Sequence, residues 1–401
     1  MIPPPESPDA LLAKIWEKVQ KPGDPAARSR LDEIEKGLAL AEEQGLSLWT
    51  VRLLSKKARG CLNQSRADDS KQCSVRGWWI ARRHGLVEGL IRCLHEMHIL
   101  RHSQGKFRKA VLHARKAFRL SKSLDDPALL ATANLILGTV YYRLGNFEEG
   151  YRHLQQSSEI AERETLPVLE GIAQVNMGIA FAELNLFEKS ELYFRSALRP
   201  LEKAGDERNF LIASLNIAEA LNRQKRTEEA LEECRRIGER IKESGIQTLF
   251  FTQQVMMSSL SLEMENLEEA ERYFASAARL RDQNQSPDKA LDFEMCQLSI
   301  LLKKAEYRKA LALSSDLEDS TRKGGNRRRL LRVIKFQSEC HEMLGEFESA
   351  YRKSKEANTL LEKHHELADK SRMQNLGIIH EVGLKEREIE RLAMDKKIAE
   401  E

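Results

Sequence analysis

The residues best spaced for chemistry stand in "HEMHILRH", where His95, His98 and His102 recur at intervals of three and four. On a helix they share one face, and imidazoles on one face can hold a transition metal. A zinc protease of this kind needs two histidines four apart, with a glutamate beside the first to act on the bound water. Glu96 follows His95, but the next histidine is three residues on, so the carboxylate does not aim at the same ion. A metal-dependent enzyme at this cluster is one reading. Packed or half-exposed side chains are the other, and the one adopted.

A second cluster is basic. "TRKGGNRRRLLR" at 321–332 gathers Arg322, Lys323, Arg327, Arg328, Arg329 and Arg332 at the opening of a helix. Such a group attracts phosphate or an acidic partner, or simply stays in solvent. No aromatic residues interleave with it, as single-stranded nucleic acid would need. The sequence has no P-loop, no GxSxG, no dinucleotide fingerprint and no Cys-His pair with a positioned base. No catalytic residue, cofactor or metal is therefore expected.

Sixty-five basic and 62 acidic residues give a net charge of +3, and this near balance argues against nucleic acid as a partner. Cys61, Cys73, Cys93, Cys234, Cys296 and Cys340 are scattered with no CxxC pair, which fits free thiols in a reducing compartment. "MIPPPESPDALL" is no secretory signal, and no apolar run is long enough to span a bilayer. The expected location is the cytoplasm, with no membrane partner.

The elements that position these residues are helical. Strand-like alternation is scarce and helix breakers are few in the 401 residues. A period of 40 runs through the chain. Ala110, Gly150, Ser190, Ala230, Ala270, Ala310 and Ala350 form one column of small residues. Three residues earlier stand Phe107, Phe147, Phe187, Thr227, Leu267, Tyr307 and Phe347. Of two further mostly small columns, one holds Gly138, Gly178, Ala218, Ser258 and Ser338, broken by His98 and Leu298, and the other Ala117, Ser157, Ala197, Ile237, Ala277, Leu317 and Ala357. Each unit reads as two antiparallel helices that approach closely where side chains are small, with the Phe column filling the wedge between units. Asp126-Pro127 opens a first helix, Pro167 and Pro287 repeat the device, and Gly145-Asn146 closes one.

"LGTVYYRLGNFEEG" at 137–150, "MGIAFAELNLFEKSELYFRSAL" at 177–198 and "EMLGEFESAYRKSKEA" at 342–357 resemble the tetratricopeptide repeat. The common form has 34 residues; six more per unit add about 9 Å of helix, as in the long-repeat branch. The resemblance implies an all-α fold: a right-handed α-solenoid of seven helix pairs over 87–365. Residues 1–86 are expected to be an N-terminal helical cap out of phase with the repeats, with a pocket around Trp78 as the alternative. Residues 366–401 are expected to form a C-terminal helix. Its stripe of Leu376, Ile379, Val382, Ile389 and Leu392 suits coiled-coil pairing in a homodimer. "NLGIIHEVGLKEREIERL" at 375–392 resembles the linker behind such repeats in bacterial signalling proteins of the diguanylate cyclase or histidine kinase type.

The same resemblance places ligands on the concave face, lined by the first helix of each unit. In phase there are Arg143, Asn176, Asn216, Glu219, Asn222, Arg223, Gln254, Lys335 and Glu339. Asn176 and Asn216, one repeat apart, could bond a peptide backbone, since a carboxamide both donates and accepts, or could bond neighbouring helices. The expected function is a non-catalytic scaffold that binds a protein or peptide, as the sensory module of a signal-transduction protein. The alternative is a peptide-pheromone receptor that sequesters a response regulator.

Overall fold

The computed structural model describes residues 7–20, 27–64, 66–104, 106–281, 287–324 and 327–362. All regular structure in them is helical. In chain order the helices are α1 (Pro8–Gln20), α2 (Ala27–Glu43), α3 (Ser47–Asn63), α4 (Ala67–Arg83), α5 (Val87–Ser103), α6 (Phe107–Ser121), α7 (Pro127–Arg143), α8 (Phe147–Arg163) and α9 (Pro167–Glu183). There follow α10 (Phe187–Lys203), α11 (Glu207–Arg223), α12 (Thr227–Arg236), α13 (Gly238–Glu243), α14 (Gln247–Glu263), α15 (Leu267–Ala278), α16 (Pro287–Lys303), α17 (Tyr307–Gly324) and α18 (Arg327–Met343). A further helix runs from 347 to 362.

From α3 to α11 a helix begins every twenty residues: at Ser47, Ala67, Val87, Phe107, Pro127 and onward. The register has a local cause. Except at α6, which has 15 residues, seventeen helical residues are followed by a three-residue turn whose middle residue is left-handed. Gly45, Gly85, Gly145, Gly205, Gly245 and Gly345 hold this place, and so do Thr165, Asn185, Lys225, Glu265 and Ala305, all at positive φ. At α7 the Gly145 N–H donates to Tyr142 O at 2.9 Å and the Asn146 N–H to Tyr141 O at 2.9 Å, a Schellman closure. Asn146 then caps α8, its side chain accepting from the Glu149 N–H. Asp126 caps α7 through the Leu129 N–H, with Pro127 at the first helical position.

This register corrects one expectation. Residues 1–86 are not out of phase, because α3 and α4 start 40 residues before α5 and α6.

The small columns meet face to face. A Cβ on Gly138 would lie 2.8 Å from Gly150 O and 2.9 Å from Leu154 N, so α7 and α8 touch backbone to backbone. Where the column of Gly138 holds Ser258 and Ser338, the hydroxyl uses the same proximity: Ser258 Oγ donates to Ala270 O at 2.8 Å and Ser338 Oγ to Ala350 O at 3.0 Å. The hairpin after Arg226 departs from the pattern, for its second helix breaks at Ile237 into α12 and α13. The buried Gln253 side chain donates to Cys234 O at 2.7 Å, where the Gly238 N–H would have closed the helical bond.

Two compact units divide the chain, Met1–Ala213 and Ser214–Glu401, and the division falls within α11. In the first, neighbouring first helices touch: α3 with α5, α5 with α7, α7 with α9. In the second, α14 touches α16 and α16 touches α18. Among the described residues, successive second helices make no comparable contact. Hairpins that touch along one row and splay along the other curve toward the touching row, so within each unit the first helices form the inner face. No helix among the described residues is long and apolar enough to cross a membrane.

Candidate functional site

The inner face of the second unit gathers charge from four first helices. On α11, Glu219 and Arg223 stand one turn apart, with Arg223 Nε 3.6 Å from Glu219 Oε1. Asn222 donates to Glu263 Oε1 of α14 at 3.2 Å and accepts from the Thr227 hydroxyl at 3.1 Å. On α16, Asp292 pairs with Arg329 of α18 at 2.8 Å. Glu219 is the centre of this group. Its side chain keeps 55% of its surface in contact with solvent, yet crowding by protein raises its pKa, and the charges of Asp292 and Glu263 raise it further. Arg223 and Arg332 act in the opposite sense. A carboxylate crowded by its surroundings but reached by water is the signature of a concave wall. One that is also held near other acids readily accepts a donor or cation from a ligand.

The structure distributes the other expected groove residues unevenly. Arg143 ends α7 and lies 3.8 Å from Glu183, its counterpart on α9, while its guanidinium rests 5.2 Å from the Tyr142 ring centroid. Asn176 is half-buried, and its carboxamide donates to Ile172 O of its own helix at 2.8 Å. That bond takes up one of the two donors it would offer a peptide. Asn216 is half-buried on α11. Gln254 does not face the groove: it is buried at 8% exposure and donates to its neighbour Gln253. One residue on a helix turns the side chain by about 100°, which moves this column from wall to core. Lys335 and Glu339 are exposed on α18.

Sequence reading missed the acidic partners Glu183, Glu263 and Asp292. A signal was present for two of them: Arg143, Glu183, Arg223, Glu263 and Lys303 stand 40 apart and alternate in sign. Alternating sign at this spacing can pair charges between neighbouring first helices, as Arg143 and Glu183 do.

The inner face of the first unit carries an ion-pair network. Arg52 of α3 grips Glu88 of α5 with two bonds of 2.8 Å, and Arg92 shares the same carboxylate. Arg59 grips Glu96 in the same two-pronged way, at 3.0 and 3.1 Å. His95 lies among these cations. Burial first, and then Arg59, His98, Arg92 and Lys56, push its pKa well below the ordinary value, so it is neutral at pH 7. His98 is buried at 4% exposure. The His102 side chain lies outside the described residues. Among those described, no group of three or more histidine, cysteine or acidic side chains is placed to hold a metal.

Trp78 is partly buried against Ile91, Ala117 and Leu129, so it packs between hairpins; Trp79 beside it is 59% exposed. In the basic cluster Arg322 pairs with Glu318 and Glu356, and Lys353 joins the same Glu318. With Arg329 held by Asp292, much of this charge is spent on structure. The side chains of Lys323, Arg327 and Arg328 lie outside the described residues, as does the segment 363–401.

Residues 129–203 match the family model described as tetratricopeptide repeat. Among curated proteins none matches the chain. Solved structures share the fold. The apo form of the quorum sensor NprR from B. thuringiensis is 12% identical, with a TM-score of 0.63, over 88% of this chain and 98% of that one. A Rap protein complexed with Competence and Sporulation Factor is 12% identical, with a TM-score of 0.60, over 91% and 99% of the two chains. A Signal Transduction ATPase with Numerous Domains with a tetratricopeptide repeat sensor, from Pyrococcus horikoshii, is 18% identical with a TM-score of 0.50. The match takes in 68% of this chain but only 41% of that protein. Residues 129–203 are tetratricopeptide repeats, and the helix hairpins around them have the fold of tetratricopeptide solenoids.

Proposed function

We propose that this chain is a non-catalytic, cytoplasmic binding array that holds a protein or peptide on the inner face of its first helices. It would serve a signal-transduction protein as its sensory or regulatory part. One observation carries the reading: Glu219, Asn222 and Arg223 of α11 converge with Glu263, Asp292 and Arg332 from three other first helices on a solvent-reached wall. Mixed acids, cations and a carboxamide suit the backbone and side chains of an extended peptide. The NprR and Rap structures support a regulatory setting, and the Rap protein is complexed with Competence and Sporulation Factor.

The test uses peptides selected from a random display library on the immobilised chain and measured by fluorescence anisotropy. Glu219→Lys should weaken the selected peptides at least about tenfold, since a buried charge contact at an interface is worth more than 1.4 kcal/mol, with the helical circular dichroism unchanged. Equal affinity in the variant counts against the groove. The second reading, a peptide-pheromone receptor that sequesters a response regulator, is favoured by the length over which the Rap structure matches. Removing residues 1–86 separates the two: regulator binding would be lost and peptide binding kept.

A further inference from the structure

The charge of the chain is unevenly spread. Between Ser70 and Leu124 stand 13 basic residues and two acids, a net +11 in a chain whose total is +3, so the remainder carries −8. The two acids, Glu88 and Glu96, belong to the inner face, where Arg52 and Arg59 hold them. The excess is left to the outer helices: α4 keeps its acids in its first turn, and α6 has none at all. Arg82, Arg83, Lys109, Lys116 and Arg119 are exposed there, and among the described residues none of them is paired with a carboxylate. Aromatic rings stand where acids would. Arg82 of α4 and Lys116 of α6 both lie over Trp78, at 5.3 and 5.7 Å from its ring centroid, and Arg82 is also 5.8 Å from that of Trp79. Apolar side chains are exposed among these cations: Trp79 at 59%, Leu112 at 64% and Val75 at 38%. Val75 and Trp79 are one turn apart on α4, and in the 40-residue register Val75 is level with Arg115, one turn from Leu112. The neighbouring outer helices, α2 and α8, each carry more acid than base. Asp32, Glu35 and Glu42 are exposed on the one, and Glu148, Glu159 and Glu162 on the other. The positive surface is thus two helices wide, with acids on either side.

We infer that the outer face of α4 and α6 docks an acidic amphipathic helix of a partner protein. The partner's acids meet Arg82, Lys116 and Arg119, and its apolar side chains cover Trp79, Leu112 and Val75. Charge complementarity selects the partner's sign, and the exposed apolar group selects its amphipathic character. The flanking acids select its width. A helix about 10–12 Å across lies within the positive surface. An anionic bilayer or a nucleic-acid backbone extends past it and is repelled by the acids of α2 and α8. The near balance of the whole chain averages over this local excess. The surface belongs to the second helices, whereas the groove belongs to the first, so the inference does not depend on the groove or on its ligand.

The test keeps the full chain and reads fluorescence anisotropy of a labelled peptide of about 18 residues, long enough to span α4 as a helix. Leucine stands in it at intervals of three and four, and glutamate elsewhere. Polyglutamate of the same length, duplex DNA and phosphatidylglycerol vesicles are the comparisons. The amphipathic peptide should bind about tenfold or more tightly than polyglutamate, since only it covers the apolar side chains. Trp79→Ala should remove about that factor and leave polyglutamate binding unchanged. Lys116→Glu with Arg119→Glu should weaken both peptides by about tenfold or more and flatten their salt dependence. The helical circular dichroism should be that of the parent in each variant. Absence of peptide binding, equal affinity in both variants, or tighter binding of the DNA or the vesicles than of the peptide overturns the inference.

Discussion

Gly138→Ala tests whether the small columns bring backbones into contact. The added methyl carbon would stand 2.8 Å from Gly150 O, 2.8 Å from Leu154 Cγ and 2.9 Å from Leu154 N. Carbon reaches its favourable contact at about 3.5–4.0 Å, so at these distances the atoms overlap and repel. The Leu154 side chain can turn away, but the two backbone atoms cannot, so the α7–α8 seam must open. Overpacking of this kind costs about 1–3 kcal/mol. Against it stands the gain of about 1 kcal/mol when alanine replaces glycine inside a helix. Because two of the three close atoms are backbone, the cost falls in the upper part of that range, about 2–3 kcal/mol, and the balance is a net loss of about 1–2 kcal/mol, localised to one hairpin. An array does not unfold in one step, so the assay should resolve regions: urea denaturation followed by hydrogen exchange in α7 and α8 peptides. If the variant is as stable as the parent, or more stable, helix propensity alone governs the position and the account of the columns fails.

Other outcomes follow from particular residues. Thr165→Gly should stabilise the chain by about 1 kcal/mol, because a β-branched residue at φ 55 pays a left-handed penalty that glycine avoids; an unchanged urea midpoint would contradict this. His153 stacks on Tyr141 at 5.7 Å with its Nδ1 2.8 Å from Asn134 Oδ1, and burial lowers its pKa. A depressed histidine contributes stability above its unfolded value of about 6.5 that is lost as pH falls through the folded one. His153→Gln should therefore flatten the decline of stability between about pH 7.5 and 5.5, and parallel curves would refute it. Burial pushes the Cys93 and Cys234 thiols up to about 12, and all six cysteines are buried. A thiol reagent at pH 8 should label almost none of them in the native protein and all of them in denaturant. Rapid native labelling would disprove the packing.

How much was legible in the sequence depends on the range of the interaction. Asp126-Pro127, Gly145 and the paired columns at 138 and 150 act over a few residues, and the structure uses each as its type suggests. The ionisable wall is different. Glu219 is an ordinary helix-surface glutamate by pattern. It becomes distinctive only because α11, α14, α16 and α18 bring Glu263, Asp292 and Arg332 close enough for their charges to act on it. Gln253 and Gln254 are adjacent and alike, yet one fills a broken helix and the other packs beside it rather than facing a ligand.

The sequence by itself determined the hairpin, its 40-residue register and where neighbouring helices must touch, since helix length, turn and missing side chains are properties of the local chain. Only the tertiary structure decided which polar residues share a wall and which aromatics are covered. Phe147 and Phe347 occupy the same column with the same side chain, and their exposures of 8% and 70% differ because burial is conferred by the next hairpin in space.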